Sequence, residues 1–107
     1  MKRGDIVVVS APGDYGKPRP ALVIQSDLFL NVPSVTVLLI TSELVDAPLI
    51  RIAVTPSTES GLREPSHIMV DKAFTIPRKK ISTVCGYLDD QTMLAVNRAL
   101  AVFLGFA

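Results

Sequence analysis

The sequence is poor in the residues from which metal sites, disulfides and cofactor pockets are most often built. It has one cysteine, Cys85, one histidine, His67, and no tryptophan. A single cysteine cannot form an internal disulfide, and with one histidine it leaves few ligands for zinc or iron. We therefore expect a protein that uses neither a bound metal nor an organic cofactor.

The chain also lacks an excess of charge and any long apolar run. Eleven basic and ten acidic residues leave a formal net charge of +1, so a nucleic-acid partner would need a local cationic site. No apolar run approaches the roughly 18 residues of a membrane span, and the one after the N-terminus is too short for a signal peptide. With 49% hydrophobic residues, the 107-residue chain is predicted to be a single globular domain over 1–107, cytoplasmic and without a membrane partner.

Short β-branched and aliphatic segments, separated by proline, glycine and acidic residues, fill the first two thirds of the chain. The predicted strands are residues 6–10, 20–26, 35–41, 49–54 and 67–71. The third is apolar throughout, which indicates a central strand buried on both faces. The stretch APGDYGKP between the first two strands is predicted to be a turn-rich loop.

A helix is predicted to close the chain. Asp89 or Asp90 is suited to cap its N-terminus, and Gly105 is suited to end it. Between them an apolar stripe has helical spacing, at Met93, Val96, Leu100 and Leu104. Many short strands followed by one helix predict a mainly β fold, a small, strongly bent antiparallel barrel with the helix packed on it.

Five segments occur in an order that resembles the MazF/PemK family of toxin endoribonucleases. They are GDIVVV, RPALVIQSD, VTVLLITS, GLREPSHIMVDKAFTIPRKKI and ALAVFLGFA, and together they run almost end to end. The most specific pieces are residues 19–23 and 40–42. The resemblance implies an SH3-like barrel of the MazF/CcdB type. It also implies a homodimer that cleaves single-stranded RNA without metal and is held inactive by a MazE-like antitoxin.

The resemblance assigns three catalytic residues, Arg19, Thr41 and Asp71. The chain also departs from the family pattern. Its first loop is shorter than usual, and Met69 and Phe74 stand where relatives carry arginine. These departures bear on RNA recognition and base preference more than on cleavage.

Metal-free RNA cleavage by 2′-hydroxyl attack needs a proton acceptor, a donor to the leaving 5′-oxygen and cationic stabilisation of the developing charge. Arg19 offers a planar guanidinium suited to phosphate oxygens, and the prolines on either side restrict the backbone that carries it. Its high pKa favours charge stabilisation over proton donation. The alternative is an arginine at a strand entrance, solvated or paired with Asp14.

Two further side chains have competing interpretations. The Thr41 hydroxyl could bond a phosphate or the 2′-hydroxyl, or merely the local backbone as the strand turns. Asp71 could be the general base, although a carboxylate with a pKa near 4 is a weak one, or a surface acid.

The predicted RNA-contacting residues are Lys17, Pro20, Ser42, His67, Lys79 and Lys80. His67 would lie roughly 13 Å along its strand from Asp71, too far for a direct pair, and it could instead be a surface or dimer-contact histidine. Lys79 and Lys80 belong to the densest basic cluster, which could follow the RNA backbone or simply be solvated.

The sequence thus predicts a sequence-selective endoribonuclease toxin that acts on mRNA. One alternative is a non-enzymatic gyrase poison of the CcdB type, which has the same barrel, but such proteins end in a tryptophan-bearing tail that this chain lacks. Another alternative is a degenerate toxin that binds but does not cut.

Overall fold

The computed structural model describes residues 1–10 and 17–107, in which six strands form one antiparallel sheet. The strands are β1 (Asp5–Ser10), β2 (Pro18–Val23), β3 (Ser34–Thr41), β4 (Arg51–Val54), β5 (Ser66–Pro77) and β6 (Ile81–Tyr87). Short 3-10 helices occupy Asp27–Phe29 and Arg78–Lys80, and α1 (Asp90–Leu104) follows β6. The order across the sheet is β4-β5-β3-β2-β1-β6. The predicted mainly β fold with one C-terminal helix is confirmed.

The sheet has a buried apolar cluster on each face. The cluster beneath α1 contains Ile6, Leu22, Leu38, Ile40, Val54, Ile68, Val70, Leu88, Val96 and Leu100. The cluster on the opposite face contains Val7, Val9, Ala21, Val23, Val35, Val37 and Ile76. Because successive side chains of a strand point to opposite faces, β3 contributes to both clusters. This explains why its sequence is apolar almost throughout, and it confirms its predicted central position.

The second strand begins and ends earlier than predicted. It starts at Pro18, where the strand was expected at Pro20, and it ends at Val23. Its pairing with β3 begins only at Ala21, so residues 18–20 pair with β1 alone. A strand edge is where proline is tolerated, since no ladder hydrogen bond is lost there. The predicted loop before it, including Asp14, lies outside the described residues apart from Lys17 and Pro18.

The fifth strand is much longer than the predicted 67–71. Leu38 pairs with Ala73 and Ile40 with Ile68, so residues 69–72 of β5 all lie against Leu39 in a bulge. A bulge bends a strand without ending it, so the charged pair Asp71 and Lys72 does not terminate β5. By contrast β4 is shorter than predicted and begins at Arg51.

The helix has the ends predicted for it. Asp89 caps α1, its Oδ1 accepting a hydrogen bond of 2.6 Å from the Thr92 N–H. Gly105 adopts a left-handed φ of 84° just beyond the last turn, which glycine does at little cost. Val96 and Leu100 of the apolar stripe are buried, but Leu104 is 54% exposed. No helix in the described residues is long and apolar enough to cross a membrane.

Candidate functional site

Arg19 and Thr41 lie side by side on the sheet face opposite α1. The last pair of the β2–β3 ladder is Ala21 with Leu39, and Arg19 and Thr41 lie two residues beyond it on their strands. Both residues line the same two clefts, which places them close together. Two residues that are distant in the sequence thus share one end of the β2–β3 pair.

Both residues line two adjoining clefts. The first cleft, of about 340 Å³, is lined by Arg19, Leu39, Ile40, Thr41, Glu43, Met69 and Lys72. The second cleft, of about 200 Å³, is lined by Arg19, Pro20, Ile40, Thr41, Ser42, Leu62, Arg63, Glu64 and Ser66. Arg19 and Thr41 therefore stand on the ridge between two hollows, each of which also contains a second cationic side chain.

The Thr41 hydroxyl makes the local backbone contact expected of it as a strand end. Its Oγ1 accepts a hydrogen bond of 3.1 Å from the Glu43 N–H. A hydroxyl that accepts one bond still has its own proton to donate. The backbone contact therefore fixes the oxygen at the cleft and leaves its O–H available to an incoming acceptor.

His67 and Asp71 lie on β5, beside this pair. His67 is the register partner of Thr41, whereas Asp71 lies in the β5 bulge. The Asp71 Oδ2 is 3.9 Å from the Lys72 Nζ, and its Oδ1 is buried with no hydrogen-bond partner in residues 1–10 and 17–107. Asp71 is not among the described residues that line the two clefts. In the strand pairing, therefore, His67 lies directly beside Thr41, whereas Asp71 lies further along β5.

The predicted RNA-contacting residues fall into two groups. Pro20 and Ser42 line the second cleft, and Lys17 is exposed directly before β2. Lys79 and Lys80 are exposed in the 3-10 helix after β5, and neither is among the described residues lining the clefts. Any contact that Lys79 and Lys80 make with RNA would be outside the clefts.

Arg78, the first residue of that basic cluster, has a structural role. Its Nη2 donates hydrogen bonds to the backbone oxygens of Leu30 and Val32, in the connection between β2 and β3. The cluster is therefore only partly available to a ligand.

The two departures from the family pattern lie in different surroundings. Met69 lines the first cleft together with Lys72 of the same strand. Phe74 packs against the apolar cluster on the face opposite α1. A hydrophobic residue at 74 is thus accounted for by packing, whereas Met69 changes the surface that a ligand would meet.

Several side chains that line the clefts are not predicted by the sequence. Three of them lie in loops, where the sequence has no periodic pattern: Glu43, Arg63 and Glu64. The alternation of residues 49–54 puts Arg51 on the polar face of its strand, but the pairing of β4 with β5 that sets it opposite Met69 has no local signal. Among the described residues, no group of three or more histidine, cysteine, aspartate or glutamate side chains is arranged to hold a metal ion.

A six-stranded antiparallel sheet with one C-terminal helix packed on it, and with an arginine and a threonine beside one another at the clefts, defines a small, mainly β protein of the MazF-like class. The chain belongs to the PemK-like, MazF-like toxin family of type II toxin–antitoxin systems, whose family model matches residues 2–104. The family predicted from the sequence motifs is confirmed.

Sequence relatives cover nearly the whole chain. A probable endoribonuclease MazF of Mycolicibacterium smegmatis is 46% identical over 108 residues, covering 100% of this chain and 99% of the relative. Endoribonuclease EndoA of Bacillus subtilis is 28% identical, covering 97% of this chain and 94% of the relative.

Solved structures share the fold. A mycobacterial endoribonuclease in complex with its cognate antitoxin superimposes with a TM-score of 0.85 at 21% identity, over 100% of this chain and 97% of that one. The Mycobacterium tuberculosis toxin MazF-mt6 has a TM-score of 0.81 at 24% identity, over 94% of this chain and 96% of that one. The barrel predicted from the sequence is therefore the fold of MazF toxins.

Proposed function

We propose that this protein is a metal-independent, sequence-selective endoribonuclease toxin that cleaves single-stranded RNA, including mRNA, by attack of a 2′-hydroxyl on the adjacent phosphorus. The new bond from the 2′-oxygen to phosphorus replaces the bond to the 5′-oxygen, which leaves as a hydroxyl after taking a proton from water. The observation that carries the proposal is the Arg19–Thr41 pair on the ridge between two clefts. Family membership and the 46% identity to a probable endoribonuclease support it.

Arg19 stabilises the charge that develops on the phosphate oxygens. A guanidinium offers several N–H donors in one plane, and it stays protonated through the reaction, so it binds the anion and does not exchange protons with it. Thr41 donates its hydroxyl proton to a phosphate oxygen or orients the attacking 2′-hydroxyl. Because its oxygen is already held by the Glu43 N–H, little ordering is needed when RNA arrives.

Asp71 accepts the proton of the 2′-hydroxyl. The support is that its Oδ1 is buried with no hydrogen-bond partner among the described residues, so that no protein donor competes for its lone pairs. An Asp71→Asn variant tests this role, because an amide keeps the shape of the side chain but cannot take up the proton. Retained cleavage of every RNA by this variant would exclude Asp71 as the base.

The substrate is held by residues around this centre. Lys17, Pro20 and Ser42 contact the RNA at the strand ends, and His67 contacts it beside Thr41. Lys79 and Lys80 attract the backbone from outside the clefts through charge alone.

The protein acts in the cytoplasm as a homodimer, with RNA in a groove between subunits, and a MazE-like antitoxin blocks it. Large apolar side chains of α1 and the chain end support self-association, since Val102 is 60% exposed and Phe106 is 81% exposed. The antitoxin complex of the mycobacterial neighbour supports the antitoxin, as does the MazE–MazF complex of Deinococcus radiodurans, with a TM-score of 0.79.

The test is incubation of the purified protein with a long unstructured RNA in EDTA, with fragment ends read by sequencing. We expect cuts at one short motif, lost in Arg19→Ala and retained in Arg98→Ala, which removes an exposed arginine of α1. Intact RNA with folded, antitoxin-free wild-type protein would refute the nuclease. The remaining alternatives would then be a gyrase poison and a degenerate toxin that binds RNA or antitoxin but does not cut. Inhibition of gyrase in vitro would identify the first of them.

A further inference from the structure

Three buried polar atoms lack a hydrogen-bond partner within residues 1–10 and 17–107. They are Arg51 Nε, His67 Nδ1 and Asp71 Oδ1. Buried polar groups in folded proteins are nearly always paired, and an unpaired one is destabilising. Three such atoms on neighbouring residues therefore point to a ligand that supplies the missing hydrogen-bond partners.

The three side chains converge because of the pairing between β4 and β5. Arg51 lies directly opposite Met69, so His67 and Asp71, two residues to either side of Met69, are its diagonal neighbours. Diagonal neighbours on one face have Cβ atoms about 7–8 Å apart, within reach of an arginine. The backbone bond from the Val70 N–H to the Ile50 oxygen, 2.9 Å long, continues the pairing beyond Arg51.

The set of atoms selects the kind of ligand. A guanidinium nitrogen only donates hydrogen bonds, and an ionised carboxylate oxygen only accepts them. A phosphate presents acceptors alone, so it would satisfy Arg51 but meet repulsion from Asp71. A nucleobase presents donors and acceptors on one edge, and Met69 between the polar groups offers an apolar, polarisable surface to a ring.

The same surface continues the cleft of the proposed nuclease. His67 pairs with Thr41 across the sheet, and Thr41 lines both clefts together with Arg19. A base bound over Met69 would therefore belong to a nucleotide close to the phosphate held by Arg19.

We propose that Arg51 and His67, together with Met69, form a base-reading subsite next to the proposed general base Asp71, and that this subsite binds one base near the scissile phosphate and helps to set the cleavage motif. Guanine matches it best, because O6 and N7 are two acceptors on one edge that suit the guanidinium of Arg51. The proposal rests on the proposed RNA-cleaving function, but RNA binding tests it without cleavage.

The experiment measures the affinity of the full-length protein for four single-stranded RNAs that carry a 2′-deoxynucleotide at the cut site and differ in one flanking base. If no cut site has been found, the four RNAs vary one base of an otherwise uniform oligonucleotide. Wild type should prefer guanine about 5- to 100-fold. Arg51→Ala should reduce the preference below about twofold. Arg51→Lys should do the same, because an ammonium keeps the charge but not the bidentate fork.

Arg98→Ala, the matched control on α1, should keep the full preference. The proposal is overturned if both Arg51 variants still discriminate, or if they lose affinity equally for all four RNAs, which a phosphate contact would produce. Arg51→Lys carries the test if Arg51→Ala does not fold. A preference for another base, lost in both variants, would keep the subsite and overturn its assignment to guanine.

The two proposals fail separately. Wild-type protein that discriminates bases but leaves RNA uncut in EDTA refutes the nuclease and keeps the subsite. Wild-type protein that cuts at a motif unchanged by both Arg51 substitutions refutes the subsite and keeps the nuclease.

Discussion

Thr41, the last residue of β3, is the direct register partner of His67 near the start of β5. Both strands lie in the interior of the sheet, so the hydroxyl and the imidazole are carried by strands that are each paired on both sides. Side chains carried on paired strands are positioned more tightly than those on loops. The candidate site therefore combines a rigid floor from β2, β3 and β5 with walls from the connecting loops.

Replacing Thr41 by valine should abolish most cleavage. Valine keeps the branched shape that suits a strand but removes the hydroxyl, and losing one positioned donor to a developing oxyanion lowers rates by about 10²–10³-fold. Thr41→Ser should retain cleavage within about tenfold. Single-turnover cleavage in EDTA measures both. Thr83→Val, on the exposed part of β6, is the control that should cut normally. Cleavage by Thr41→Val within threefold of wild type would remove Thr41 from the mechanism.

Removing Lys79 and Lys80 together should weaken RNA binding without altering the cleavage motif. Both lie outside the described lining of the clefts, so they are expected to interact only with backbone charge. For single strands, log K falls with log salt concentration at a slope of about 0.7 per neutralised phosphate, so the double alanine variant should lower the slope by about 1.4. A salt titration of RNA affinity measures it, with exposed Lys2→Ala as control. An unchanged slope would show that the two lysines are merely solvated.

The parts of the fold around the candidate site that the sequence predicted correctly are those set by local patterns. Pro-Arg-Pro predicted an arginine at a strand entrance, and the long apolar run predicted a central strand that ends at Thr41. Pairing between strands distant in the sequence was not predictable in this way. The order β4-β5-β3 brings Arg51 and His67 to the same face, but no local pattern specifies which strands become neighbours.

The bulge in β5 explains the other main difference. Asp71 and Lys72 look like the end of a strand because adjacent charges are rare within one. Four residues of β5 face a single residue of β3 here, so the charged pair is accommodated in a continuing strand. The consequence is functional as well as structural, because the bulge turns Lys72 toward the first cleft.

Gly61→Ala should be far more destabilising than Gly105→Ala, although both glycines have positive φ, 71° and 84°. A Cβ at Gly105 would have no atom of the described residues within 4 Å, whereas a Cβ at Gly61 would collide with the Cys85 carbonyl oxygen. The left-handed conformation alone disfavours alanine by about 1–2 kcal/mol. We expect about that loss for Gly105→Ala and about 3 kcal/mol or more for Gly61→Ala. Urea unfolding of both variants measures the difference. Equal losses would mean that the loop before β5 moves away from β6 without penalty.

The capping bond at the start of α1 should make part of the stability depend on pH. Hydrogen bonds from the Thr92 side chain and from its backbone N–H hold the pKa of Asp89 below its ordinary value. A folded-state pKa below the unfolded value of about 3.9 means that the stabilisation is complete above about pH 5 and is lost as pH falls through the folded-state pKa. Asp89→Asn keeps a good capping residue but removes the titration.

The difference in melting temperature between wild type and Asp89→Asn, measured from pH 7 to pH 2, is therefore expected to be constant above about pH 5 and to shrink below about pH 4. Asp46→Asn is the control. Asp46 is exposed and makes no hydrogen bond or ion pair within the part of the chain that the structure describes, so Asp46→Asn replaces a carboxylate without removing a contact. A difference that stays constant down to pH 2 for Asp89→Asn would show that the capping carboxylate has the same pKa in the folded and unfolded chain, and that its bond to Thr92 does not favour the ionised form.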